Sequence, residues 1–392
     1  MNTAVAAPHT SSDITTRLDA AIDSALNEAR IVGAVVLVAR DGEPVYHRAA
    51  GWADREHRVA MRDDSLFRLA SLTKSIVSTA ALALVEQGRL SLHIPLAELM
   101  PEFTPRLPNG QTATITAHHL LTHTAGFSYG FFEPADGPYH RAGISDGLDA
   151  PGWGMAEQLQ RIASVPLFFA PGTAWRYSIG TDVLGALIAR VTGQTLPDAI
   201  AALVTGPLAM HDTAFSVRDR SRLATAYADA TPAGSPPVRM GEHTIVPFID
   251  PALAGIAFAP GRVFDPASFP SGGGGMVGGA TDFLRFLESI RNDNGVISPP
   301  MSQALRSNQT GDLLIDVRGP GWGFGYGGAV LLDPAAAASP QSPGTWQWGG
   351  AYGHSWFVDP LERLSVIALT NTAVEGTAGR FATDIRDAVY GV

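Results

Sequence analysis

Ser71 and Lys74 stand three residues apart in the stretch Phe67–Glu86, FRLASLTKSIVSTAALALVE. On a helix that spacing puts a hydroxyl and an amine on one face, within touching distance. Ile76, Val77, Ala80, Ala81, Leu82, Leu84 and Val85 cover the remaining sides. A helix apolar all round belongs inside a domain, where an unused hydroxyl and amine are costly. Lys74 is also the single lysine of the chain: of 27 Lys+Arg residues, the other 26 are arginine (27 − 1). Arginine matches lysine in charge but does not release its proton in a protein. A position that holds the lone lysine therefore asks for an amine able to become neutral. From a reference value of about 10.4, roughly three units of depression give a base near neutral pH, within the reach of burial. A serine that merely caps the helix beside a snorkelling lysine has the same spacing. The chemistry favoured is a serine nucleophile activated by an amine.

Two further segments carry groups that suit it. In Pro171–Ile179, Tyr177 sits between an apolar segment and an apolar helix beginning near Asp182. A phenol there can bridge Ser71 and Lys74 and shuttle the proton, although a core tyrosine bonded to backbone fits equally well. Thr345–Asp359 is dense in glycine and aromatics just before a strand. Gly349 and Gly350 permit close backbone approach, so the Ala351 amide is a candidate oxyanion donor; an aromatic-rich turn is the alternative.

Three other patterns are set aside. Gly126–Gly130 matches G-x-S-x-G around Ser128 but lacks the strand before and helix after that a nucleophile elbow needs. Gly323–Gly328 matches G-x-G-x-x-G but runs into strand-like Ala329–Leu332. His119 and His123 have two-ligand spacing, yet no H-E-x-x-H glutamate and no third ligand accompany them.

The elements that must position these groups follow from patterning. Ser12 and Asp13 read as helix caps, with Ile14, Leu18, Ile22 and Leu26 at helical spacing. Residues 33–39 read as a buried strand, and Asp41-Gly42 turns into a second strand over 43–50. Gly88 ends the Ser71 helix. Strand signals fade between 90 and 205, where short helical pieces alternate with Pro/Gly loops. Residues 206–270 are irregular and too long for a simple connection, which suits a lid or pocket wall. The glycine run Gly272–Gly275 leads into a helix capped by Thr281, with Phe283, Leu284, Phe286 and Leu287 as its buried stripe. Strands at 356–359 and 364–371 and a helix over about 376–389 close the chain. The expected fold is α+β: an antiparallel sheet flanked by helices, built from 1–89 and 206–392, with a mostly helical subdomain over 90–205.

Composition bounds the function. The 392 residues are 45% hydrophobic and 16% charged, an ordinary globular balance. A net charge of −10 argues against nucleic-acid or anionic-membrane partners. There is no cysteine, which excludes disulfides, thiolate metal sites and cysteine nucleophiles. Residues 1–8 lack a basic region followed by an apolar run, and no stretch is long enough to span a membrane, so the expected location is the cytoplasm.

Ser71-x-x-Lys74, the tyrosine of Tyr177-Ser-Ile179 and Trp348-Gly-Gly350, in this order, resemble the serine hydrolases related to class C β-lactamases and DD-peptidases. The likeness is closest to the family VIII carboxylesterases. It extends through Leu120–Gly126, the glycine run and Trp346–Asp359, covering nearly the whole chain. The resemblance implies the β-lactamase/transpeptidase-like fold with the site in a cleft between sheet domain and helical subdomain. It implies Ser71 as nucleophile, Lys74 and Tyr177 as the proton-transfer pair, and the Ser71 and Ala351 amides as oxyanion hole. Trp348, Gly349, Gly350, Ile179, Tyr129 and His354 are the implied pocket. No metal and no cofactor is implied.

Two departures bear on the substrate. The β-lactamase tyrosine motif ends in asparagine, where Ile179 stands here, and its K-T-G lysine is replaced by Trp348. Both losses favour a neutral ester over a lactam or peptide amide. The expected activity is a serine carboxylesterase for short-chain acyl esters, a small-molecule substrate class extending to cephalosporin-type deacetylation or acyl transfer to alcohols. The alternatives are a β-lactamase or D-amino-acid peptidase, and a non-catalytic relative that binds peptidoglycan-like ligands.

Overall fold

A computed structural model describes residues 11–229, 235–248 and 250–392. The reading of residues 1–8 falls outside the described residues. Eight strands form the main sheet: β1 (Gly33–Arg40), β2 (Glu43–Asp54), β3 (Val59–Ala60), β4 (Trp322–Phe324), β5 (Ala329–Leu331), β6 (Trp346–Gly350), β7 (His354–Asp359) and β8 (Leu364–Thr370). Their order across the sheet is β4-β5-β6-β7-β8-β1-β2-β3, and the pairings are antiparallel. The two ends of the chain meet at its centre, where Val36 pairs with Ala368 and Leu37 with Ile367.

β1 reads as a continuous apolar run because both of its faces are covered. Val36 and Val38 face one layer, with Ile14, Leu18 and Ile22 of α1 (Ser11–Asn27) and Phe381 and Ile385 of the C-terminal helix Arg380–Tyr390. Val35 and Leu37 face the other layer, a core that continues into the Ser71 helix, α2 (Leu72–Glu86). Each fully buried Leu, Ile or Phe in these layers contributes about 1.5–3 kcal/mol. The helical part is built around α2 and α3 (Gly180–Thr192), which pack together and share that core.

Several boundaries differ from the pattern-based expectation. α1 is helical from Ser11, the first described residue, so Ser12 and Asp13 lie inside the helix rather than capping it. The helix after the glycine run, α4 (Ala280–Arg291), starts from Gly279, and Thr281 is inside it. The last helix starts at Arg380, after a turn through Gly376–Gly379. The main correction concerns Trp346–Gly350, a strand rather than a turn: Trp348 pairs with Trp356 and Gly349 with Ser355. Cross-strand pairing overrides the low strand propensity of two glycines. Among its described residues the 206–270 stretch holds two- and three-residue strands and short helices of three to five residues.

Candidate active site

Ser71 occupies the N-terminal boundary of α2 without using its side chain as a cap. The capping account of this serine therefore does not hold. The residue before it, Ala70, has a φ of +46°, a left-handed conformation that a non-glycine residue adopts at a cost. Backbone on both sides pins this turn. Leu69 N–H donates to the Met276 carbonyl at 2.9 Å, and Phe67–Arg68 pairs with Val277–Gly278.

Lys74 does not snorkel; it is 1% exposed. Its Nζ donates to Ser71 Oγ at 3.1 Å and to the Gly273 carbonyl at 2.6 Å. It also faces the rings of Tyr177 at 4.8 Å and Tyr129 at 5.3 Å. A Cβ at Gly273 would lie 2.6 Å from Asp182 Oδ2, so a larger residue there would displace that carboxylate. Asp182, at the head of α3, fixes this loop: its Oδ1 accepts from Ser271 Oγ at 2.6 Å and from Gly273 N–H at 3.2 Å. Burial holds the Asp182 carboxyl above the usual carboxylate range.

Tyr177 closes the cluster from the segment leading into α3. Its Oη donates to Ser71 Oγ at 2.6 Å. Trp348 Nε1–H, a donor only, donates to the same Oη at 3.2 Å. Trp348 is thus more than the apolar replacement that the sequence comparison makes it. From β6 it aims a hydrogen bond at the oxygen on which negative charge would develop. Among the described residues the Ser71 and Ala351 amides have no side-chain or loop carbonyl as acceptor, and both residues line the same cavity.

That cavity has a volume of about 400 Å³, an ordinary size for a small-molecule site. Tyr129, Gly349 and Trp348 line it, together with Phe131, Phe132 and Leu148. Phe248 and Ile256 from the irregular 206–270 stretch and Val317 and Arg318 from another loop complete this end. Asp146 also reaches it; its carboxylate accepts from Gly130 and Phe131 N–H at 2.7 and 3.1 Å, and burial pushes it up to about 7.

Three expected pocket residues do not line the cavity. Ile179 is fully buried at the start of α3. Gly350 packs on the backbone of Leu69, where a Cβ would meet its carbonyl at 2.5 Å. His354 is buried on β7, with Nε2 2.8 Å from the Arg68 carbonyl, and burial lowers it to about 4.

The patterns set aside are structural in this fold. Ser128 is fully buried and gives its hydroxyl to the Tyr129 carbonyl at 3.2 Å. His119 belongs to the cap of helix Ala117–Leu121, whereas His123 lies beyond that helix, 3.2 Å from Ser178 Oγ. Burial, and then Lys74, hold the His123 imidazole well below its usual range. Among the described residues no group of three His, Cys, Asp or Glu side chains could hold a metal ion. Nor does any described helix have the length and apolarity to cross a membrane.

Sequence reasoning missed the contacts of Gly273, Asp182 and the Trp348 N–H and the place of Arg318 in the cavity wall. Only Gly273 left a signal, because a four-glycine run marks close backbone approach.

A buried helix with serine and lysine at its head, a tyrosine from the helical side and a sheet strand opposite define a class of active-site serine folds. The beta-lactamase family model matches residues 18–390, and the chain belongs to that family. It is 52% identical to Esterase EstB of Burkholderia gladioli over 374 residues, covering 95% of this chain and 94% of that protein. Among solved structures it is similar to EstCE1, a hydrolase with promiscuous acyltransferase activity. That match has a TM-score of 0.92 and 41% identity, over 97% of this chain and 99% of the other. It is also 25% identical to monacolin J acid methylbutanoyltransferase of Aspergillus terreus over 394 residues, 90% of this chain and 89% of the relative.

Proposed function

We propose that the protein is a serine carboxylesterase that hydrolyses short-chain acyl esters through an acyl-enzyme on Ser71. The observation that carries this reading is the convergence on Ser71 Oγ of Tyr177 Oη at 2.6 Å and Lys74 Nζ at 3.1 Å, at the wall of a cavity. Ser71 gives its proton to the Lys74–Tyr177 pair as Oγ attacks the ester carbonyl. The Trp348 N–H stabilises the Tyr177 oxygen while it carries charge. The Ser71 and Ala351 amides take the oxyanion of the tetrahedral intermediate. The pair returns the proton to the leaving alcohol, and a water activated by Tyr177 then releases the acid. An alcohol in place of that water makes the same enzyme a transesterase, a reading supported by the acyltransferase activity named for EstCE1. Residues 90–205 form the helical side of the cleft, and 1–89 with 206–392 form the sheet side. The location is cytoplasmic, which cell fractionation checks.

Cleavage of lactams or peptides is the weaker reading, because Ile179 stands where the asparagine that hydrogen-bonds a substrate amide would be, and the 52% identical relative is named an esterase. Parallel turnover of 4-nitrophenyl butyrate and nitrocefin tests the choice. Ser71-dependent hydrolysis of the ester with slow or no nitrocefin opening supports the esterase; efficient nitrocefin opening with little esterase activity overturns it.

A further inference from the structure

Arg318 is a cation at the wall of the catalytic cavity with no protein partner for its charge. It lies in the loop between the helix Pro299–Leu305 and β4, and its guanidinium carbon sits 5.1 Å from the Trp348 ring and 5.6 Å from the Trp322 ring. Among the described residues no carboxylate forms an ion pair with it, and no carbonyl takes one of its N–H groups. Two other arginines that point into the protein show the usual arrangement. Arg68 donates to the Pro260 and Ala224 carbonyls at 2.8 and 2.9 Å, and Arg262 to the Phe269 carbonyl at 2.6 Å and to that of Asp149. Arg318 is half-buried at the cavity wall, so its N–H groups are open to an acceptor that enters the cavity. Desolvation pushes Arg318 down to about 10, which leaves it charged at neutral pH, and its one electrostatic neighbour is the Tyr177 phenol.

We propose that Arg318 is the anchor for a carboxylate carried by the ester substrate, so that the cavity selects anionic esters over neutral ones. Its planar fork matches a carboxylate bidentately, and the flanking indoles fix the plane in which the fork lies. Trp348 stands between this anchor and the nucleophile: its ring meets the guanidinium and its N–H meets Tyr177 Oη. A substrate carboxylate on Arg318 therefore lies one indole from the Tyr177 oxygen, with the ester linkage on the Ser71 side. The loss of the family's K-T-G lysine at Trp348 thus does not leave the site without a cation. The cation comes from a different loop. Phe131, Phe132 and Phe248 supply the apolar surface for the rest of the molecule.

This inference rests on the esterase reading, and the test separates the two. Two matched pairs serve as substrates: 3-acetoxybenzoate with its methyl ester, and mono-(4-nitrophenyl) adipate with 4-nitrophenyl hexanoate. The first pair carries the charge on the alcohol portion and the second on the acyl portion. For at least one pair, Arg318→Met is expected to lower the ratio of kcat/KM, charged over neutral, by about tenfold or more, mainly through KM. Arg318→Lys, which keeps charge but not the fork, falls between Met and wild type. On the wild type, hexanoate inhibits hydrolysis of 4-nitrophenyl butyrate competitively and hexanamide does so far less well. An unchanged ratio for both pairs overturns the proposal. So does an equal fall in kcat on charged and neutral members, which would make Arg318 a positioning residue acting through Trp348 and Tyr177. So does equal inhibition by hexanoate and hexanamide on the intact enzyme, whatever the fate of the variants. Failure of the esterase reading looks different: no Ser71-dependent hydrolysis of any of the four esters.

Discussion

The cavity has two walls of different construction. One is the head of α2 with Tyr177 and Trp348, where Lys74 is almost fully buried and the side chains of Ser71, Lys74, Tyr177 and Trp348 are hydrogen-bonded to one another. The other is made of Phe248, Ile256, Val317 and Arg318, on irregular segments with short strands and loops. The first wall holds distances, which proton transfer and oxyanion stabilisation require. The second sets shape and charge, which can change without disturbing those distances. On the proposed mechanism, reaction type belongs to the packed elements and substrate choice to the loops.

The sharpest way to break this division is Lys74→Arg. It keeps a cation at the head of α2 and removes the group able to give up a proton. The expected fall in kcat for 4-nitrophenyl butyrate is about 10³-fold or more, with far-UV circular dichroism unchanged. Near-normal turnover would remove Lys74 from the proton pathway. Trp348→Phe keeps an aromatic wall but deletes the donor to Tyr177 Oη. A loss of roughly tenfold to a hundredfold in kcat, larger than any change in KM, is expected from one charge-stabilising hydrogen bond. A pure KM effect would return Trp348 to the role of an apolar surface. Phe248→Ala, on the loop wall, is expected to change KM for longer acyl chains by about threefold to tenfold and to leave kcat for acetyl esters nearly level, the scale of lost apolar contact. A large kcat loss in that variant would mean that the two walls are not separable.

The same division decides what was legible in the sequence. Ser71 and Lys74 stood out as candidates because their signal is local, a three-residue spacing and a lone lysine, whereas Tyr177 fitted a core tyrosine equally well on its own segment and came from the resemblance; the fold brings the three side chains together. The outer layers were readable from periodicity, as in Ile14, Leu18 and Ile22. β6 was not, because Gly349 and Gly350 argue for a turn and only pairing with β7 makes them strand. Ile179, Gly350 and His354 stand near functional residues in the chain, yet their side chains or backbones serve packing. Arg318 was invisible for the opposite reason. It lies in a loop without periodicity and becomes notable only when the fold brings the Trp322 and Trp348 rings to 5.6 and 5.1 Å from its guanidinium carbon.

The central claim is that Ser71, and no other serine, is the nucleophile. Labelling the wild-type protein with a fluorophosphonate, followed by peptide mapping and loss of 4-nitrophenyl butyrate turnover, tests it most directly. The account predicts a single adduct on Ser71, with Ser71→Ala inactive and unlabelled and Ser128→Ala still labelled at Ser71. An adduct on Ser128, or full turnover by Ser71→Ala, would contradict it.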